Sequence, residues 1–245
     1  MTSESTRFLG QPRETKPILG LDCWASGRGV ASIWVGGVTN SYFIKVAEGP
    51  SFVALGALSC GAGRVGYIRV FMVLQVAAES DLGEIVDLAN LAFRGIGASA
   101  GWTVETDFIE GERTNVSMLR EELAAHPDAR LLMYRDQHDG SLLGSVWLEP
   151  LGDEAWYLGL LNVRPQLQGR QLGRRLLAAA ERSAKEGGAR RIRISVLNVS
   201  YTLIAWYERR GYVLTGETKP FPYDDERVGR PLRDDLSLVM LEKAV

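Results

Sequence analysis

The sequence predicts a mixed α/β domain of the α+β type, a central mixed sheet flanked by about four helices. Three observations carry that prediction. Period-two and helical apolar patterns take turns from residue 73 to residue 242. Short Gly, Asn and Asp turn signals separate them, so the elements belong to one module. Within 158–186 a strand runs through a Gly-rich polar turn straight into an amphipathic helix.

Val73-Leu74-Gln75-Val76 reads as a strand. Asp81 stands three residues before Glu84, a capping-box spacing, and Leu82, Ile85, Leu88, Ala89 and Ala92 follow at helical intervals, which predicts a helix over about 81–93. The stretch 95–113 is irregular and contains Trp102. Thr114 is placed to cap a second helix that Pro127 ends. Residues 129–135 and 141–148 read as strands joined at Asp139-Gly140, and 156–163 as a third. A helix over 172–186 is closed by Gly187-Gly188. In 191–197, Ile192, Ile194 and Val196 face one way and Arg191, Arg193 and Ser195 the other. A helix over 202–210 ends at Gly211, and 212–215 and 236–242 read as the last strands.

Residues 1–71 differ. They hold both cysteines, Cys23 and Cys60, and 11 of the 27 glycines, and their net charge is +3 against −5 for 72–245. No sustained helical period and no alternating strand longer than about five residues is read there. Two expectations compete: a poorly structured extension, or one translated from upstream of a start at Met72, against a small accessory domain. The composition shift favours the extension, with the regular domain at 72–245. Neither cysteine is expected to be catalytic, since that segment has no His to activate it.

The whole chain has 245 residues, 46% hydrophobic and 24% charged, which excludes a wholly disordered, collagen-like or disulfide-scaffold protein. A formal charge of −2 argues against a general nucleic-acid binder. No apolar run reaches the ~18 residues of a membrane helix, and the N-terminus lacks the basic-then-apolar order of a secretory signal. The expectation is a soluble cytoplasmic protein with no nucleic-acid or membrane partner.

The chemistry concentrates in 158–212. A helix start offers free backbone N–H groups and the positive end of the macrodipole. With Arg164, Arg170, Arg174 and Arg175 nearby, the turn is an anion site suited to phosphate. Neither a Walker A loop nor a G-x-G-x-x-G turn is present, which argues against the common nucleotide folds. A plain strand-to-helix turn stays open on these residues alone.

Val163-Arg164-Pro165-Gln166-Leu167-Gln168-Gly169-Arg170-Gln171-Leu172-Gly173 closely resembles the acetyl-CoA-binding signature of the GNAT N-acetyltransferase superfamily, Q/R-x-x-G-x-G/A after a V-x-P strand end. Trp206-Tyr207-Glu208-Arg209-Arg210-Gly211-Tyr212 resembles the family's Y-E-x-x-G-F/Y element. The resemblance implies a GNAT-like sheet with splayed strands and acetyl-CoA as acyl donor to an amine, of a small molecule or of a protein. It implies that main-chain groups of Leu161 and Val163 contact pantetheine. It implies too that amides of Gln168, Gly169, Arg170, Gln171, Leu172, Gly173 and Arg174 hold the pyrophosphate. Tyr207 matches the position that protonates the departing thiolate. Homodimers are common in the family.

This sequence departs from the pattern in three places. Gln171 stands where the family usually has Gly; it is expected to be tolerated if its backbone stays helical or in the bridge region, and otherwise to weaken CoA binding. Ser200 stands where many relatives have Asn, so Asn198 is expected to supply that hydrogen bond to CoA. The strand 156–163 has no carboxylate to serve as general base; Asp153, Glu154, Glu105 and Asp107 are the nearest candidates, each expected as a surface acid. His126 and His138 are given no role. The acceptor site is expected between 95–113, with Trp102 as an aromatic contact, and the connection 217–235, whose Asp224-Asp225-Glu226 could attract a cation. The domain has no cysteine, so direct transfer is expected rather than an acyl-enzyme. The alternative expectation is a GNAT-like module that binds acyl-CoA without turnover, as a sensor or interaction partner.

Overall fold

The computed structural model describes residues 72–95 and 104–245, together with the backbones of strands β1 (Ser32–Gly37), β2 (Ser41–Glu48), β3 (Ser51–Ala54) and β4 (Leu58–Ser59). These four strands pair antiparallel as one sheet. At eight residues β2 is longer than any strand read there from the sequence. Its Tyr42-Phe43-Ile44 run does not alternate, so a period-two reading passes over it.

The described domain has four helices: α1 (Leu82–Arg94), α2 (Val116–Ala125), α3 (Leu172–Glu186) and α4 (Tyr201–Glu208). Its strands are β5 (Gln75–Val76), β6 (Ile109–Glu110), β7 (Arg130–Arg135), β8 (Leu142–Gly152) and β9 (Ala155–Val163). β10 (Arg191–Leu197), β11 (Val213–Pro220), β12 (Arg230–Pro231) and β13 (Ser237–Ala244) follow. Seven strands form one sheet in the order β11-β13-β10-β9-β8-β7-β5. Every neighbour in it is antiparallel except β9 and β10, which are parallel. The predicted mixed fold is what forms.

The strands separate two apolar layers. Leu131 and Met133 of β7 pack with Leu82, Ile85 and Leu119 from α1 and α2. Leu132 between them packs with Leu176, Leu177 and Ala180 of α3. The alternation in β10 holds: Ile192, Ile194 and Val196 are buried in that second layer. α3 has the predicted bounds, because its apolar stripe begins at Leu172 and Gly187-Gly188 stops it.

Some local expectations are corrected. Asp81 and Glu84 form no reciprocal capping box on α1; they bind Arg135 of β7 at 2.8 and 2.6 Å, and the other oxygen of Asp81 accepts from Ala78 N at 2.8 Å, one turn before α1. Asn115, not Thr114, caps α2, its Oδ1 accepting from Met118 N at 3.0 Å. Strand β11 runs on to Pro220 past a bulge at Gly216. All its residues are exposed, so it had no alternation to read. The two-residue pair β6–β12 is too short for any sequence pattern.

Gly144 of β8 sits where this strand, β9 and α3 meet. A Cβ there would lie 2.9 Å from both the Asn162 carbonyl oxygen and Leu176 Cδ2. Gly144→Ala is therefore expected to destabilise the protein by about 1–3 kcal/mol through overpacking. Urea unfolding measures this, and an unchanged midpoint would mean that α3 packs more loosely than its contacts indicate.

Candidate active site

The site begins where the sheet fails to close. β9 and β10 pair only at Ala155–Arg191, Trp156–Ile192 and Tyr157–Arg193, and then diverge. β9 carries one residue too many: Ser145 faces Asn162 and Trp147 faces Gly159, so Val146 faces both Leu160 and Leu161. Leu160 has φ 47°, a left-handed backbone that a side chain adopts at a cost of about 1–2 kcal/mol. Asn162 holds it there. Its Nδ2 donates to the Leu160 carbonyl and to Ser145 Oγ, both at 2.9 Å, in a buried setting. At the apex, Tyr157 Oη and Ser195 Oγ share a hydrogen bond of 2.8 Å. Gly159 is required beside it, because a Cβ would come within 2.8 Å of the Tyr157 ring.

The opening is a cleft of about 690 Å³. At one end is the start of α3. Gly169 and Gln171 both have positive φ, 81° and 60°, and the turn they form brings Gln168, Gly169, Gln171, Leu172, Gly173 and Arg174 onto the cleft wall. Gln171 thus occupies the left-handed conformation that suits glycine, and not the helical or bridge backbone expected for it. No side chain caps α3, so its first-turn N–H groups stay available to an anion.

Tyr207 of α4 lies on the cleft wall, with 6% of its surface exposed. Trp206 and Tyr212 pack edge-on against it, with ring centroids at 4.9 and 5.4 Å. Burial pushes its hydroxyl well above the usual tyrosine range, and Tyr157 adds to the rise while Arg210 opposes it. The phenol holds its proton at physiological pH, and burial makes it a weaker acid than a free tyrosine. Arg210 also lines the cleft; its guanidinium stacks 3.5 Å from the Trp206 ring centre and donates to the Trp206 carbonyl at 2.5 Å.

Leu161 and Val163 join these residues on the wall, while Arg170 does not. Asn198 lies outside the lining. Its Nδ2 donates to the Asp235 carbonyl at 2.9 Å and its Oδ1 accepts from Ser237 N at 3.0 Å, so its amide ties α4's approach to β13. Trp102 lies outside the described residues. Glu105 lines the cleft, contrary to the surface position expected of it, and pairs with Arg94 at 2.5 Å. Asp153 and Glu154 form the β8–β9 turn, where Glu154 pairs with Arg190. His126 pairs with Glu149 at 2.6 Å, away from the cleft lining.

The far end is formed by Phe93, Arg94, Glu105, Ile109 and Arg113 on one side and Phe221, Pro222 and Val228 on the other. Both predicted walls are present. The second contributes apolar side chains, however, and Asp224, Asp225 and Glu226 are not among the lining. Sequence reading passed over Arg94, Arg113, Tyr157, Asn162 and Ser195. Only Asn162 offered a signal, as a polar residue in an otherwise apolar strand.

A parallel pair parted by a bulge and ending at an open helix N-terminus defines a mixed-sheet domain that can seat a long phosphate-bearing ligand edge-on. Residues 101–212 match the Acetyltransferase (GNAT) family. Among curated proteins none matches the sequence. The ribosomal-protein-alanine N-acetyltransferase of Brucella melitensis shares the fold. It is 19% identical over 71% of this chain and 100% of its own, with a TM-score of 0.50. Nourseothricin acetyltransferase is 27% identical with a TM-score of 0.41 over 48% of this chain, which spans 66% of that protein's length. The PaiA N-acetyltransferase of Thermoplasma acidophilum, solved with coenzyme A, is 18% identical over 71% of this chain and 99% of its own, with a TM-score of 0.48. No helix among the described residues is long and apolar enough to cross a membrane.

Two substitutions test this construction. Asn162→Ala removes two buried hydrogen bonds and strands Ser145 Oγ, so a loss of about 2–3 kcal/mol is expected on chemical unfolding. Gln171→Gly relieves the left-handed side-chain penalty and should raise the melting midpoint by about 2–4 °C. A lower midpoint would mean that the Gln171 side chain makes a stabilising contact.

Proposed function

We propose that this protein is an acetyl-CoA-dependent N-acetyltransferase that passes the acetyl group directly to an amine. The observation that carries the proposal is the continuity of three features along one cleft. The parted β9–β10 edges lead to the α3 N-terminus, and Tyr207 lies on the wall they share. The strand edges offer backbone partners for the amide groups of pantetheine, through Leu161 and Val163. The pyrophosphate fits the first-turn N–H groups of α3, where the helix dipole favours negative charge, while Gln168 N and Arg170 N are already bonded to the Pro165 and Leu167 carbonyls. Arg174 and Arg210 add charge at that end.

The reaction needs little more. The neutral amine attacks the thioester carbonyl; the C–N bond forms and the C–S bond breaks. An N–H on the bulged strand can stabilise the oxyanion. The thiolate takes the Tyr207 proton, and the surplus proton on the amine nitrogen passes through water to the Tyr207 phenolate, which restores it. Because the domain has no cysteine, both substrates are present together when transfer occurs.

Acetyl-CoA in excess should raise the melting midpoint of the full chain by mass action, and an accepting amine should release CoA thiol. Tyr207→Phe should lower turnover on the order of 100-fold while leaving acetyl-CoA affinity unchanged. Equal rates in wild type and variant would remove Tyr207 from the chemistry. A midpoint shift with no thiol release from any amine would indicate a binding module instead.

A further inference from the structure

The geometry points to an acceptor that carries a carboxylate as well as its amine, on a small apolar body: an apolar amino acid or a close analogue. This inference rests on the transferase reading above and narrows it. Arg94, Glu105 and Arg113 are the charged residues at the far end of the cleft. Glu105 is committed to Arg94, with side chains 15% and 7% exposed, so the pair contributes no net charge. Arg113 supplies the balance. Its guanidinium lies 5.6 Å over the Phe93 ring and makes no ion pair within 4 Å among the described residues, its opposing charge being Glu122 at longer range.

A guanidinium on the wall of a largely apolar cleft is best matched by a carboxylate, whose planar shape suits it. A polycation meets no acid of the 217–235 connection in the cleft lining. In the 217–235 connection, Asp225 is held by Arg227 at 2.6 Å and Asp235 by Arg233 at 2.7 Å. What that connection brings to the cleft is Phe221, Pro222 and Val228, which with Phe93 and Ile109 favour an apolar side chain.

The test uses the full chain, once acetyl-CoA has been shown to raise its melting midpoint. Thiol release from acetyl-CoA is followed with L-phenylalanine and L-leucine, with their decarboxylated counterparts phenethylamine and 3-methylbutylamine, and with spermidine. The amino acids are expected to have kcat/KM about ten- to hundredfold higher, the size of one charged hydrogen bond. Arg113→Gln should raise the amino-acid KM by a similar factor and erase the preference. Arg113→Lys should restore part of it, and the KM for acetyl-CoA should stay the same in both. The inference is overturned if the decarboxylated amines or spermidine react as well, or if Arg113→Gln keeps the preference. It is also overturned if no amino acid releases thiol from a protein that acetyl-CoA stabilises. Absence of any acetyl-CoA stabilisation would instead overturn the transferase reading itself.

Discussion

The extra residue in β9 is the constraint from which the site follows. Two parallel strands with matched twist would continue their ladder and seal the sheet. The ladder ends at Tyr157–Arg193, and with Leu160 and Leu161 both facing Val146 the bulge just beyond keeps β9 from resuming it. The left-handed Leu160 is offset in two ways. Its side chain packs against Ala89, Ala92 and Phe93 of α1, and its carbonyl is held by Asn162. The bulge is thus stabilised by the layer beneath it, which gives α1 a part in a site formed mainly by the opposite layer.

That arrangement explains why the cleft meets both helical layers. A gap in the plane of a sheet is bounded by whatever covers either face. Here α3 and α4 contribute the helix N-terminus and Tyr207, while the C-terminal end of α1 contributes Phe93 and Arg94. The parted strands leave backbone donors and acceptors that must find partners, and an extended ligand with its own amides is well suited to them. The Tyr157–Ser195 hydrogen bond closes the apex.

What the sequence disclosed follows from how local each feature is. The α3 start and β10 were legible, because a glycine-bounded amphipathic run and a clean alternation are set by near neighbours. Tyr207 and the 168–174 turn came through a motif whose spacing is itself local. The bulge left no trace, since β9 reads as an apolar strand with or without an extra residue. The roles of Asp81 and Glu84 were misread because their partner Arg135 is more than fifty residues away. Glu105 was misplaced for the same reason: only the fold brings it to Arg94 and then to the cleft. Polar residues were least predictable where tertiary pairing competes with a plausible local cap.

Net charge shows the same division between composition and arrangement. Residues 72–245 carry a formal charge of −5, and nothing in that figure suggests an anionic ligand. Yet the charged side chains lining the cleft are Arg94, Arg113, Arg174 and Arg210 against Glu105 alone. Low-dielectric walls concentrate the field of those few groups, and the open N-terminus of α3 adds to it. The acids that outweigh them stand elsewhere, many paired with arginines on the surface, such as Glu110 with Arg230, Glu154 with Arg190 and Asp235 with Arg233. Such exposed pairs contribute little stability, but they keep carboxylates out of the cleft's field. An acidic domain can therefore present a cationic interior to a phosphate-bearing donor, and the sign of its net charge does not predict the sign of the ligand it takes.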